Sequence, residues 1–149
     1  RFCLAYAARG AAKVVGIDFA KGMIDIANKL AKDAGVDDRV KYICGLFPDD
    51  MDLSDAPFDG TSGNGFFDYI ENPVPIVAKM REMTKGRLIM SFPKSAEFRV
   101  PLRRLRFWMK GTPLFLYSES QVKQIMADAG VTDYEIVDLG RDYLVDAKV

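Results

Sequence analysis

Apolar positions along the chain fall into two rhythms, one of every third or fourth residue and one of short continuous runs, and their order predicts the elements. Residues 1 to 9, RFCLAYAAR, place Phe2, Leu4, Ala5 and Ala8 at helical spacing, and Gly10 stops that helix. Residues 13 to 18 form a nearly continuous apolar run that predicts a buried strand ending on the carboxylate of Asp18. A helix is expected from 21 to 34, with Met23, Ala27, Leu30 and Ala34 on its inner face and Gly35 closing it. RVKYICGLF, 39 to 47, predicts a second strand, and the acidic, turn-rich PDDMDLSDAP, 48 to 57, a surface connection. FDGTSGNGFF, 58 to 67, gives the weakest strand signal, because Gly60, Thr61, Ser62 and Gly63 offer few core side chains.

Residues 73 to 83 predict a helix with Ile76, Val77 and Met80 inward, followed by the strong strand GRLIMSF, 86 to 92. Ser118 with Gln121 three residues on is a capping box; it opens a helix whose Val122, Ile125, Met126 and Ala129 share one face until Gly130. TDYEIVDLG and DYLVDAKV end the sequence as two strands with a tight turn between them, at least partly antiparallel. Alternating helix and strand with a closing strand pair predicts one three-layer α/β domain over residues 1–149.

Composition narrows the chemistry. An apolar fraction of 49% over 149 residues supports a real core, and 21 basic residues balance 21 acidic ones, so no global field draws the chain to nucleic acid or to an anionic membrane. The absence of histidine, together with only two cysteines, removes the usual zinc sites and the Ser-His and Cys-His nucleophiles. Cys3 and Cys44 stand far apart, without a C-x-x-C spacing, and are expected to be buried thiols in a reducing, cytoplasmic compartment. No apolar run approaches a membrane span, and the first residues lack the form of a signal peptide.

In open α/β sheets ligands lie at the carboxyl ends of strands, which directs attention to Asp18. It has two readings: a solvated strand end or helix cap, or an acceptor for the hydroxyls of a ribose with Phe19 lying against the base. The glycine-rich turn that accompanies such an acid about 20 residues earlier would fall before Arg1. The residues RFCLAYAARGAAKVVGIDFAKGMIDIANKLA resemble the segment that follows this loop in class I S-adenosylmethionine-dependent methyltransferases. The likeness continues through FFDYIENP, MTKGRLIMSFP and SESQVKQIMADAG to the last strand, nearly the whole chain. The order SFP, a basic-apolar stretch, LYSESQV and DYLV is also similar to magnesium-protoporphyrin O-methyltransferases.

This resemblance implies a Rossmann-like sandwich with a mostly parallel sheet and an antiparallel C-terminal strand, lacking the first strand and the glycine-rich loop. It implies S-adenosylmethionine as cofactor and a small-molecule methyl acceptor; a neutral domain without a stacking platform argues against nucleic acid, and the sequence leaves the oligomeric state open. Asp18 would bind the ribose hydroxyls, and Phe19 and Met23 would flank the adenosine. Leu46 and Phe47 match the adenine positions; since Leu46 cannot accept the adenine amino group, backbone groups or Asp49 and Asp50 would do so. Asn64 and Gly65 match positions that meet the methionine part of the cofactor. Asp68 or Tyr69 would serve as base for an acceptor that needs deprotonation. The 149 residues alone are expected to bind the cofactor weakly or not at all. Two competing readings are a non-catalytic descendant serving as an interaction domain and a nicotinamide-dependent oxidoreductase.

RVPLRRLRFWMK, 99 to 110, carries five basic residues and no acid, with Leu102, Leu105 and Met109 on one helical face and Trp108 beside it. The plain expectation is a solvated face over a packed one. The alternatives are a cover over an anionic acceptor and an interfacial helix making peripheral membrane contact.

Overall fold

The computed structural model describes residues 1–51, 54–96, 100–109 and 111–149, with backbone alone for 102–104 and 106. The chain divides into two compact units, Arg1–Asp52 and Leu53–Val149.

The first unit contains α1 (Phe2–Ala8), β1 (Val14–Asp18), α2 (Lys21–Asp33) and β2 (Val40–Cys44). The strands pair in parallel with Val14 opposite Val40 and Asp18 opposite Cys44, so their carboxyl ends lie side by side. Arg39 ties the end of α1 down: its Nη1 donates to the carbonyls of Ala7 and Ala11. The core is small, formed by Ala7, Ala31, Val36 and Val40 with Cys3, Leu4, Val14 and Tyr42 packed against it.

Two expectations for this unit are corrected. α2 buries Ile24 and Ala31, with Ala27 half-buried between them, whereas Met23, Leu30 and Ala34 are exposed. Small alanines at 27 and 31 let the helix lie close to the strands, so the inner stripe is rotated one residue from the predicted one. β1 is half-buried along its whole length rather than buried. Among the described residues its one hydrogen-bonded neighbour is β2, which leaves the other edge without a ladder. Gly16 is required in β1, since a Cβ there would stand 2.8 Å from Cys3 Sγ and 3.0 Å from the Tyr42 ring. Burial in this corner raises the pKa of both the Cys3 thiol and the Tyr42 hydroxyl. Cys44, expected inside, is exposed, and both thiols are free.

The second unit contains β3 (Phe58–Gly63), a 3-10 turn (Phe67–Tyr69), α3 (Pro73–Glu82), β4 (Thr84–Pro93), α4 (Val100–Met109), α5 (Glu119–Asp128), β5 (Asp133–Asp138) and β6 (Asp142–Lys148). The strand order is β3-β4-β6-β5; β3 and β4 are parallel, and β6 runs antiparallel to both β4 and β5. Among the described strands of this unit only β6 is therefore reversed, as expected for the closing strand. The glycine-rich β3 forms despite its low strand propensity because Gly63 lets Phe67 and Met80 approach; a Cβ there would stand 3.3 Å and 3.1 Å from them. Ser118 caps α5 as predicted, accepting from the Gln121 amide while the Gln121 side chain accepts from the Ser118 amide. Val122, Ile125, Met126 and Ala129 are all buried beneath it. Phe67 stacks on Phe92 with centroids 4.3 Å apart, and Tyr117 meets Phe92 edge-on at 5.4 Å. Residues 52 and 53 of the acidic connection, and 97–99 ahead of α4, lie outside the described residues.

Candidate functional site

In the first unit the two parallel strands deliver their last residues to one rim. Asp18 ends β1, and the ladder continues one step beyond it, the Gly45 amide donating to the Asp18 carbonyl at 3.0 Å. The Asp18 carboxylate is half-buried. Its Oδ1 accepts the Ala20 amide at 2.8 Å and so fixes the turn into α2, where Ala20 supplies no side-chain cap of its own. Among the described residues Oδ2 has no protein partner. One oxygen thus meets the cap reading of Asp18, and the second oxygen is left able to accept. Phe19, held by a weak bond from Cys44 Sγ to its carbonyl, turns its ring outward at 67% exposure, and Met23 one turn on is exposed as well.

The β2 end is built around Gly45 and Asp50. Asp50 folds over Gly45 so closely that a Cβ there would collide with the Asp50 Cβ. Its Oδ2 accepts the Leu46 amide at 2.8 Å. Asp50 is thus engaged in closing its own loop. Leu46 is 58% exposed and Phe47 half-buried, so Leu46 is a surface residue at the rim and not part of the core. The structure thereby brings Asp18, Phe19, Leu46 and Phe47 to adjacent strand ends, with Met23 on the first turn of the following helix.

A family model described as a methyltransferase domain matches residues 1–86, more than half of the chain. The chain belongs to the methyltransferase domain family. Its fold is the class I, Rossmann-like one, a mostly parallel arrangement of strands flanked by helices. The S-adenosylmethionine dependent methyltransferase from Mesorhizobium loti is similar at a TM-score of 0.77 and 16% identity, over 99% of this chain and 85% of that one. Magnesium protoporphyrin IX methyltransferase from Synechocystis PCC 6803, solved with bound SAH, is similar at a TM-score of 0.71 and 17% identity, over 98% and 68%. An O-methyltransferase family protein from Burkholderia thailandensis is similar at 0.69 and 15% identity over 94% of this chain, which spans 51% of that one. No curated protein matches the sequence.

The second unit of this methyltransferase family member carries the remaining predicted positions. Asn64 is half-buried just past β3; Gly65 is exposed, takes a φ of +69°, and donates its amide to Ser91 Oγ at 3.0 Å. That left-handed conformation is the reason for a glycine here. Asp68 is buried within the 3-10 turn, while Tyr69 is exposed and stacks on Phe107 of α4 with centroids 5.9 Å apart. The Asp68 carbonyl accepts from the Phe115 amide at 2.9 Å.

Tyr117 holds this turn and was not singled out by sequence. Its hydroxyl donates to the Ile70 carbonyl at 2.8 Å, with the Phe67 carbonyl at 3.3 Å. Burial, with the Asp68 charge added, pushes the Tyr117 pKa up to about 12. The signal available in sequence was only its place before the capping box, in LYSESQV. Among the described residues no cluster of His, Cys, Asp and Glu could hold a metal ion, and no helix is long and apolar enough to cross a membrane.

Proposed function

We propose that this chain is part of an enzyme that transfers a methyl group from S-adenosylmethionine to a small-molecule acceptor in a reducing, cytoplasmic compartment. The observation that carries this reading is the Asp18 carboxylate at the end of β1, one oxygen fixed by the Ala20 amide and the other without a protein partner. A pre-oriented acceptor at a strand end suits a ribose hydroxyl. Exposed Phe19 and Met23 supply apolar surface for the nucleoside, and Leu46 and Phe47 supply it for the base. The family match runs across the boundary between the two units, which supports reading them as one methyltransferase domain.

When bound, S-adenosylmethionine supplies an already activated methyl on its sulfonium. The work left to the protein is binding, orientation and exclusion of water. Asp18 orients the ribose, and the Leu46 amide, taken by Asp50, keeps the adjoining loop closed. Asn64 and Gly65 serve the methionine end. Exposed Tyr69 and buried Asp68 are the candidate proton acceptors, both on a turn held by Tyr117.

Asp18→Asn tests the reading, because the amide oxygen still accepts from Ala20 while the second oxygen becomes a donor. Loss of a hydrogen bond to a charged group is worth about 1.5–3 kcal/mol. S-adenosylhomocysteine binding by protein containing this chain is therefore expected to weaken about 10- to 100-fold, measured by calorimetry. Unchanged affinity, or tighter binding of a nicotinamide dinucleotide, would overturn the proposal.

A further inference from the structure

α4 presents an apolar face that the fold does not use. Leu105, Trp108 and Met109, at helical spacing i, i+3 and i+4, are 51%, 78% and 73% exposed. The opposite side packs inward, through buried Val100 and half-buried Phe107, which lies against Tyr69. The helix ends cleanly at Gly111, φ +60°, whose amide donates to the Trp108 carbonyl. Leu105 and Met109, expected to pack, are exposed with Trp108 beside them, while the side chain of Leu102, the third residue of the expected apolar face, lies outside the described residues. The sequence from 99 to 110 is basic, with Arg99, Arg103, Arg104, Arg106 and Lys110 and no acid, in a chain whose 21 basic and 21 acidic residues cancel overall. By the helical period, positions 104 and 106 fall about 100° to either side of Leu105 and so flank the apolar stripe.

We infer that α4 is an interfacial helix that docks the second unit on an anionic lipid surface. An apolar stripe flanked by bases suits the plane between headgroups and acyl chains, where Leu, Trp and Met enter the boundary and arginines meet lipid phosphates. A neutral bilayer would leave the charge unanswered. Because Phe107 joins α4 to the turn of Asp68 and Tyr69, docking places that turn close to the membrane surface. The inference is independent of the nucleoside site on the first unit.

Trp108 is the sole tryptophan, so its emission reports the face directly. With vesicles of phosphatidylcholine containing about 30% phosphatidylglycerol, the emission is expected to shift to the blue and to be quenched by brominated acyl chains. Raising salt from about 0.1 M to 1 M, which shortens screening from about 10 Å to 3 Å, should release the protein. Arg104→Gln should weaken partitioning about fivefold. Leu105→Asn with Met109→Asn, both at exposed positions, should abolish the shift while leaving circular dichroism unchanged. No shift with anionic vesicles, or an equal shift with pure phosphatidylcholine, would overturn the inference. So would a shift produced by an RNA oligonucleotide in place of vesicles, or by raising protein concentration alone.

Discussion

The two units differ in how they are held together. All of the largest fully buried side chains among the described residues, from Phe67 and Phe92 to Val131 and Val145, lie in the second. The first relies on alanines and valines around Ala7, Ala31, Val36 and Val40, and its strand β1 is half-exposed throughout. Yet the first carries the candidate nucleoside residues. On the proposed reading, recognition falls to the unit with less apolar burial, where a bound nucleoside would add covering surface and stability by mass action.

The widest gap is expected from core truncation. Phe92→Ala removes a ring stacked on Phe67 and met by Tyr117, and should cost about 3–5 kcal/mol, whereas Ile24→Ala in the first unit should cost about 2 kcal/mol. Denaturant unfolding measures both, and equal costs would break the comparison.

A smaller effect sharpens it. Gly16→Ala drives a methyl against Cys3 Sγ and the Tyr42 ring, for an expected loss of about 1–3 kcal/mol. Cys3→Ala in the same chain should recover part of that loss, and a double-mutant cycle gives the coupling. Simple additivity would mean that α1 does not press on β1 at this point.

The smallest effect concerns the turn of the second unit. Tyr117→Phe removes the hydroxyl bonded to the Ile70 carbonyl, at a cost of about 1–2 kcal/mol. In the folded protein Tyr117 holds its proton up to about pH 12, above its ordinary value of 10. Between these limits the unfolded chain binds fewer protons than the folded one, so stability falls as pH rises from 10 toward 12. Thermal melts should show this decline in the unmodified chain and a flatter dependence in Tyr117→Phe.

What could be read from sequence was local. The Ser118 and Gln121 box, the buried stripe of α5 and the reversed last strand follow from spacing over a few residues. Asp18 stood out in sequence because a lone carboxylate closes an apolar run, and its place at the end of β1 follows that pattern. The inner face of α2 was not: Met23, Ile24, Ile26, Ala27, Leu30 and Ala31 surround much of the helix, and the contact with the strands chooses among them. Tyr117 was illegible because its carbonyl partners lie 47 and 50 residues away. Leu46 was ambiguous because its exposure depends on Asp50 folding back over Gly45. The outward face of α4 followed from which side of the helix Val100 and Phe107 occupy, a matter of packing that periodicity leaves open.

Chemical-shift mapping of the 149-residue chain with S-adenosylhomocysteine, carried into the millimolar range, tests the nucleoside assignment most directly, since it registers weak binding. Amide shifts are expected to concentrate at residues 18–20 and 45–47 and to disappear in Asp18→Asn. Those amides remaining still while others move, or responding equally in Asp18→Asn, would contradict the account.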